Sequence, residues 1–201
     1  MRSLVLYSVA ILACWTSVAD DTLAQTTIHS SQIALAVLPL PDEYRDEAAV
    51  LGYGSDGIIT MVRSGSNELV CIGDDPSDDR FHVACYHVTL EPFMTRGREL
   101  RAEGKEREEV KAIRRDEILS GQLAFPEGPV ALYSLSGPLE FLEADVDDLS
   151  SLSKLKVLYI PFATPESTGL SSTPVAGEPW LMDAGEPWAH VMLYRPAAKE
   201  D

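Results

Sequence analysis

From Ala48 onward the chain sets short runs of β-branched and aromatic residues between clusters of Gly, Ser, Asn and Asp. Residues 49–53 lead into Gly54-Ser55-Asp56-Gly57, and residues 58–63 into Ser64-Gly65-Ser66-Asn67. Residues 68–73 lead into an acidic turn, and residues 81–88 complete the set. Runs of this composition and spacing predict four strands of an antiparallel meander. The period then changes. Pro92 suits a first helical turn, and Gly97 and Gly104 weaken the middle of the next segment, which predicts two helices over residues 92–102 and 105–120. The second has only a narrow apolar stripe, Val110, Ile113 and Ile118, so it should pack by one edge.

Strand-like runs return at residues 130–135, 155–160 and 189–194. Between the first two lies an acidic stretch, residues 140–148, read as a loop or hairpin tip. A proline-marked loop covers residues 161–170. Gly177-Glu178-Pro179-Trp180 recurs as Gly185-Glu186-Pro187-Trp188; each copy is a turn former expected to launch a strand and sink its tryptophan into the core. Upstream, Ser30-Ser31-Gln32 before an Ala/Leu run that ends at Pro39 predicts a short capped helix in preference to an alternating strand. Residues 41–44 read as a turn or one helical turn. The fold class is therefore α+β: an antiparallel meander, a charged two-helix insertion, and C-terminal strands returning to the sheet.

Strand alternation puts Leu69, Cys71, Phe81, Val83, Cys85 and His87 on one face of the third and fourth strands. Cys71 and Cys85 are nearly equidistant from the turn between them, which predicts a cross-strand disulfide. Their wide separation, unlike Cys-X-X-Cys, makes that bond structural and not an exchange centre.

The N-terminus changes the setting. Arg2, an apolar run from Leu4 to Ala13, and small residues at Ser17 and Ala19 predict a signal peptide over residues 1–19, with a second cut at Ala24, leaving a single domain over residues 20–201. Export places the cysteine pair in an oxidising compartment, periplasmic or extracellular. Ile11-Leu12-Ala13-Cys14 also resembles a lipobox, which would make the chain a membrane-anchored lipoprotein without a transmembrane segment.

Charge narrows the partners. Removing Arg2 with the leader leaves 15 basic against 32 acidic residues, a net charge of −17. Such a surface repels nucleic acid and anionic lipid. The segment from Glu91 to Gly121 departs from this, with eight basic and eight acidic residues.

ELVCIGDD, FHVACYH, LEPFMTRGRELRAEG and YIPFATPESTGL together resemble a family of uncharacterised exported bacterial proteins across nearly the whole mature chain. The resemblance implies bacterial export and one domain, and transfers no catalytic residue.

Three kinds of chemistry have candidates. For a metal, Asp74, Asp75, Asp78 and Asp79 crowd one turn, and His82 and His87 bracket Cys85. The aspartates lack EF-hand spacing and the two histidines have opposite parity, so no metal or other cofactor is expected. For hydrolysis, Ser167 in the proline-marked loop would need His190 or His87 as base and Asp183 as orienting acid; no Gly-X-Ser-X-Gly elbow is present. For binding, Trp180, Trp188, Phe162 and Tyr194 would line a groove beside that loop, for a small ligand, a glycan or a protein partner. The expectation is a non-enzymatic binding or structural protein of the cell envelope, the alternative an exported hydrolase or metal-dependent enzyme built on residues 161–188.

Overall fold

Each alternating run becomes a strand: β1 (Ala49–Tyr53), β2 (Ile59–Arg63), β3 (Leu69–Ile72), β4 (Phe81–His87), β5 (Val130–Gly137), β6 (Ser153–Tyr159), β7 (Trp180–Met182) and β8 (His190–Arg195). This computed structural model describes residues 30–143, 148–175 and 177–198. The expected leader, with Cys14 and both predicted cleavage positions, lies outside the described residues, as do residues 144–147 of the acidic stretch. The strands form one open sheet in the order β2-β1-β3-β4-β5-β6-β8-β7.

All neighbours are antiparallel except β1 and β3. The first four strands are thus not a simple meander, because the chain leaving β2 crosses to the far side of β1 and runs parallel to it. Gly65 makes the crossing feasible. A Cβ there would stand 2.3 Å from the Ala49 backbone nitrogen, so any other residue would collide with the start of β1. Ser66 and Asn67 N–H groups then donate to the Glu47 carbonyl at 2.8 and 3.2 Å, fixing the crossing.

Leu69 pairs with His87 and Cys71 with Cys85, the register that alternation predicts, and the two sulfurs are bonded. That face carries a helix, α1 (residues 30–36), whose Ala36 packs with Val37 and Leu40 against Val50, Cys71 and Cys85. The expected turn at residues 41–44 is a single helical turn, α2 (Asp42–Arg45). The acidic stretch opens in a 3-10 turn at Leu139–Glu143 and is followed by another at Leu149–Ser151. These bring Phe141 and Leu152 over Phe81, Val83 and Leu135, so part of an expected loop is core.

The opposite face carries the two predicted helices, α3 (Glu91–Ala102) and α4 (Arg107–Leu119). Phe93, Gly97 and Leu100 recur at helical spacing and form the buried stripe of α3. Phe93 packs with Leu90 and Trp188 over Val70, Tyr86, Val157 and Tyr159. Burying an apolar side chain of this size stabilises a fold by about 1.5–3 kcal/mol, so the stripe anchors α3 firmly. Only Val110 of α4 is buried, and polar links do the rest. Arg96 grips Glu117 with three bonds of 2.8 to 3.0 Å, Lys111 reaches Asp183 at 3.0 Å, and Arg115 reaches Glu186 at 3.2 Å. Among the described residues, no helix is long and apolar enough to cross a membrane.

Candidate functional site

On the α3 side of the sheet, side chains of β4, β5, β6 and β8 leave a cleft of about 530 Å³ beneath the helix. Its floor is apolar: Ile72, Ala84, Leu132, Leu155, Val157 and Met192. These positions have the opposite parity to the cysteines, so the strand alternation that buries the disulfide on one face builds this floor on the other. Met94, Arg98 and Arg101 of α3 overhang it, Tyr53, Asp75 and Asp78 form one rim, and Tyr159 and His190 form the far end.

Two polar groups break the floor. The β4–β5 register sets His82 opposite Ser136 and Ala84 opposite Ser134, so His82 and Ser134 are diagonal neighbours. His82 Nε2 lies 3.0 Å from Ser134 Oγ. Ser134 is buried, and although His82 as a residue is exposed, its ring edge reaches that hydroxyl. Burial lowers the His82 pKa from its ordinary value, against the opposing pull of Asp78 and Asp74. The His82 backbone N–H donates to Asp74 at 2.7 Å, tying the acidic turn to the start of β4.

A bonded network fixes the overhang. Tyr86 and Thr95 hydroxyls donate to Glu91, the latter at 2.7 Å, and Arg98 donates to Glu91 and Thr95 at 2.7 Å each. Tyr86 is almost fully buried, and burial together with Glu91 raises its hydroxyl pKa. The network joins β4 to α3 and holds Arg98 over the cleft. A neighbouring hollow of about 680 Å³ between β2 and α3 shares Tyr53, Asp75, Arg98 and Arg101 with it.

The residues singled out by sequence are dispersed. Ser167 belongs to a one-turn helix, α5 (Pro165–Thr168), where its Oγ bonds the Thr164 carbonyl and N–H in a capping box at 3.0 and 2.9 Å. His87 Nδ1 sits 2.8 Å from Thr89 Oγ1 at the entry to α3, on the disulfide's face. Asp183 accepts Lys111 at 3.0 Å and the Trp188 indole N–H at 2.9 Å. Burial pushes the Asp183 pKa up, but those two donors outweigh it and hold the carboxyl below its ordinary value. His190 does line the cleft. Its Nδ1–H donates to the Trp188 carbonyl at 2.8 Å, and burial lowers its pKa.

Trp188 is in the core against Phe93, at a centroid distance of 5.6 Å. Trp180 is half-buried at the start of β7, whereas Phe162 and Tyr194 are exposed and Tyr194 donates to Ser153 at 3.0 Å. These four aromatics do not line the α3 cleft. In the acidic turn, Asp75 accepts the Ser77 N–H and hydroxyl at 2.9 and 2.7 Å. Among the described residues, no three His, Cys, Asp or Glu side chains are grouped to hold a metal ion.

Sequence reasoning missed Ser134, Arg98, Arg101 and the Tyr86 network. The available signal was parity: His82, Ala84 and Tyr86 alternate away from the cysteines, and a serine interrupts an apolar run in the strand that follows. What it did not supply was the β4–β5 register. No protein-family model, no curated protein and no solved structure matches the chain, so the site stands on its own geometry.

Proposed function

We propose that this is a non-enzymatic binding protein of the bacterial envelope, which takes a small amphipathic molecule between α3 and the sheet. The observation that carries the reading is the cleft: an apolar floor, a pair of hydrogen-bonding groups set into it, and an overhang held by a saturated polar network. Its volume of about 530 Å³ falls within the range of small-molecule sites, which combine apolar lining with few placed polar groups. The signal peptide read from the sequence, the Cys71–Cys85 bond and the resemblance to exported bacterial proteins support the location.

The test uses 8-anilinonaphthalene-1-sulfonate, an apolar aromatic probe with one anionic group. Saturable binding with one site per chain is expected, and Ala84→Phe, which fills the floor, should weaken it at least tenfold while thermal stability holds. Met192→Phe intrudes from the opposite side and should act alike. Unchanged affinity in both folded variants contradicts the reading.

The His82–Ser134 contact favours one alternative, an exported hydrolase with Ser134 as nucleophile and His82 as base. It is weaker on two counts. Ser134 lies inside a central strand whose backbone bonds to β4 and β6, so its N–H is not free to stabilise an oxyanion. Among the described residues no carboxylate hydrogen-bonds the other ring nitrogen of His82. Hydrolysis of p-nitrophenyl acetate that Ser134→Ala abolishes would favour the hydrolase.

A further inference from the structure

Two arginines of α3, Arg98 and Arg101, line the cleft, and Arg114 of α4 packs against α3 beside it; the three are not alike. Arg98 is neutralised by Glu91 at 2.7 Å, but among the described residues neither Arg101 nor Arg114 has a carboxylate partner. Those two converge over Gly97, where Arg114 Nη1 and Arg101 Nη1 lie 2.8 and 3.5 Å from the point a Cβ would occupy. A side chain at Gly97 would displace Arg114, so the glycine makes room for both guanidiniums. Arg114 stacks 3.8 Å above the Phe93 ring, donates from Nη1 to the Phe93 carbonyl at 3.2 Å, and leaves its buried Nε–H without a partner. Asp183, which also acts on Arg114, is already held by Lys111 and Trp188.

In a chain with twice as many acidic as basic residues, two guanidiniums packed together without a counter-charge are anomalous. Arg101 is exposed, but its charge bears on the more buried Arg114, and an anion between the two offsets that repulsion. The geometry points to an anion-binding position at the edge of the cleft, where Arg101, which lines it, meets Arg114 over Gly97 with Arg98 beside them, and which selects a ligand carrying a single carboxylate or sulfonate-type group on an apolar body. This rests on the cleft being the binding site.

A single charge fits better than a multiply charged phosphate, because Asp75 and Asp78 face the same cleft from the opposite rim. Those two carboxylates also bear on the opposite choice, a cationic ligand. Asp75 already accepts from Ser77, and burial together with Asp75 pushes the Tyr53 hydroxyl up to about 12. Arg101 is uncommitted, so the stronger demand for a counter-ion lies on the helix side. Burial, then Arg101, brings the Arg114 pKa down to about 10, which leaves it charged at neutral pH.

The experiment compares two probes with one aromatic body: 8-anilinonaphthalene-1-sulfonate, an anion, and N-phenyl-1-naphthylamine, which is neutral. Fluorescence titration at fixed ionic strength gives the ratio of their affinities. The wild-type chain should prefer the anion, Arg101→Gln should reduce that preference about tenfold, the scale of one charge-assisted hydrogen bond, and Arg101→Lys should restore part of it. If Ala84→Phe abolishes binding of both probes but Arg101→Gln leaves the ratio unchanged, the anion position is refuted and the cleft survives. A wild-type preference for the neutral probe refutes it equally. Failure of the wild-type chain to bind either probe, or indifference of both to Ala84→Phe, removes the cleft and the anion position with it.

Discussion

His190 is the residue where burial, hydrogen bonding and charge can be separated by pH. Its ring packs 5.1 Å from Tyr159 and its Nδ1–H is committed to the Trp188 carbonyl. Burial lowers its pKa; the bond to Trp188 and the charge of Asp183 oppose that fall, and Lys111 adds to it. Below the ordinary value of 6.5, the unfolded chain therefore takes up the proton before the folded one does. Stability from this group is present at neutral pH and drains away as pH falls through 6.5 toward the folded-state value. Exposed His82 shifts in the same direction and adds a smaller part. The Asp183 carboxyl, held below 3.8, titrates outside that window. Thermal denaturation should accordingly show a melting temperature that drops between pH 7.5 and 5.5, with a shallower slope in His190→Gln. An identical slope in the variant would remove His190 as the cause.

At the scale of elements, the hairpin of β3 and β4 and the docking of α4 behave differently. The hairpin was legible in the sequence, because alternation and a centred turn fix both register and cysteine pairing, and local signals suffice for both. Closing that loop should stabilise the chain by about 3 kcal/mol, so Cys71→Ala, Cys85→Ala and the double variant should each lose about that much in urea denaturation, the double being little worse than either single. The crossing from β2 to β3 was not legible, since turn residues mark where a strand ends and not which side of its neighbour the next one takes. Helix α4 has little apolar surface, and the Asp183 bridge to Lys111 and Trp188 replaces it. Asp183→Ala should cost about 1–3 kcal/mol by leaving two donors unpaired, and should speed amide exchange in α4. Asp183 has a φ of 51°, a left-handed conformation that asparagine also tolerates, so Asp183→Asn should be milder. Equal effects of the two would show that backbone strain is irrelevant there.

For the whole molecule, one sheet with two differently built faces organises structure and site together. One face is closed by α1, the disulfide and the 3-10 turns, and the other is closed by α3 only in part, leaving the cleft. Fold class and most strands follow from patterning along the chain. The site does not, because Ser134 meets His82, and Arg114 meets Arg101, only through strand register and helix docking between distant segments. The sequence reading turned instead to residues 161–188, whose aromatics and proline-marked loop are conspicuous locally. Trp188 is core, as its Gly-Glu-Pro-Trp turn predicts, and Ser167 is a helix cap. The most direct measurement is a two-dimensional amide NMR titration of the protein with 8-anilinonaphthalene-1-sulfonate. Binding in the cleft predicts shift changes concentrated at Ala84, Leu132, Ser134, Met192 and the Arg98–Arg101 turn of α3. Changes centred on Phe162, Trp180 and Tyr194, with the cleft resonances still, would contradict it.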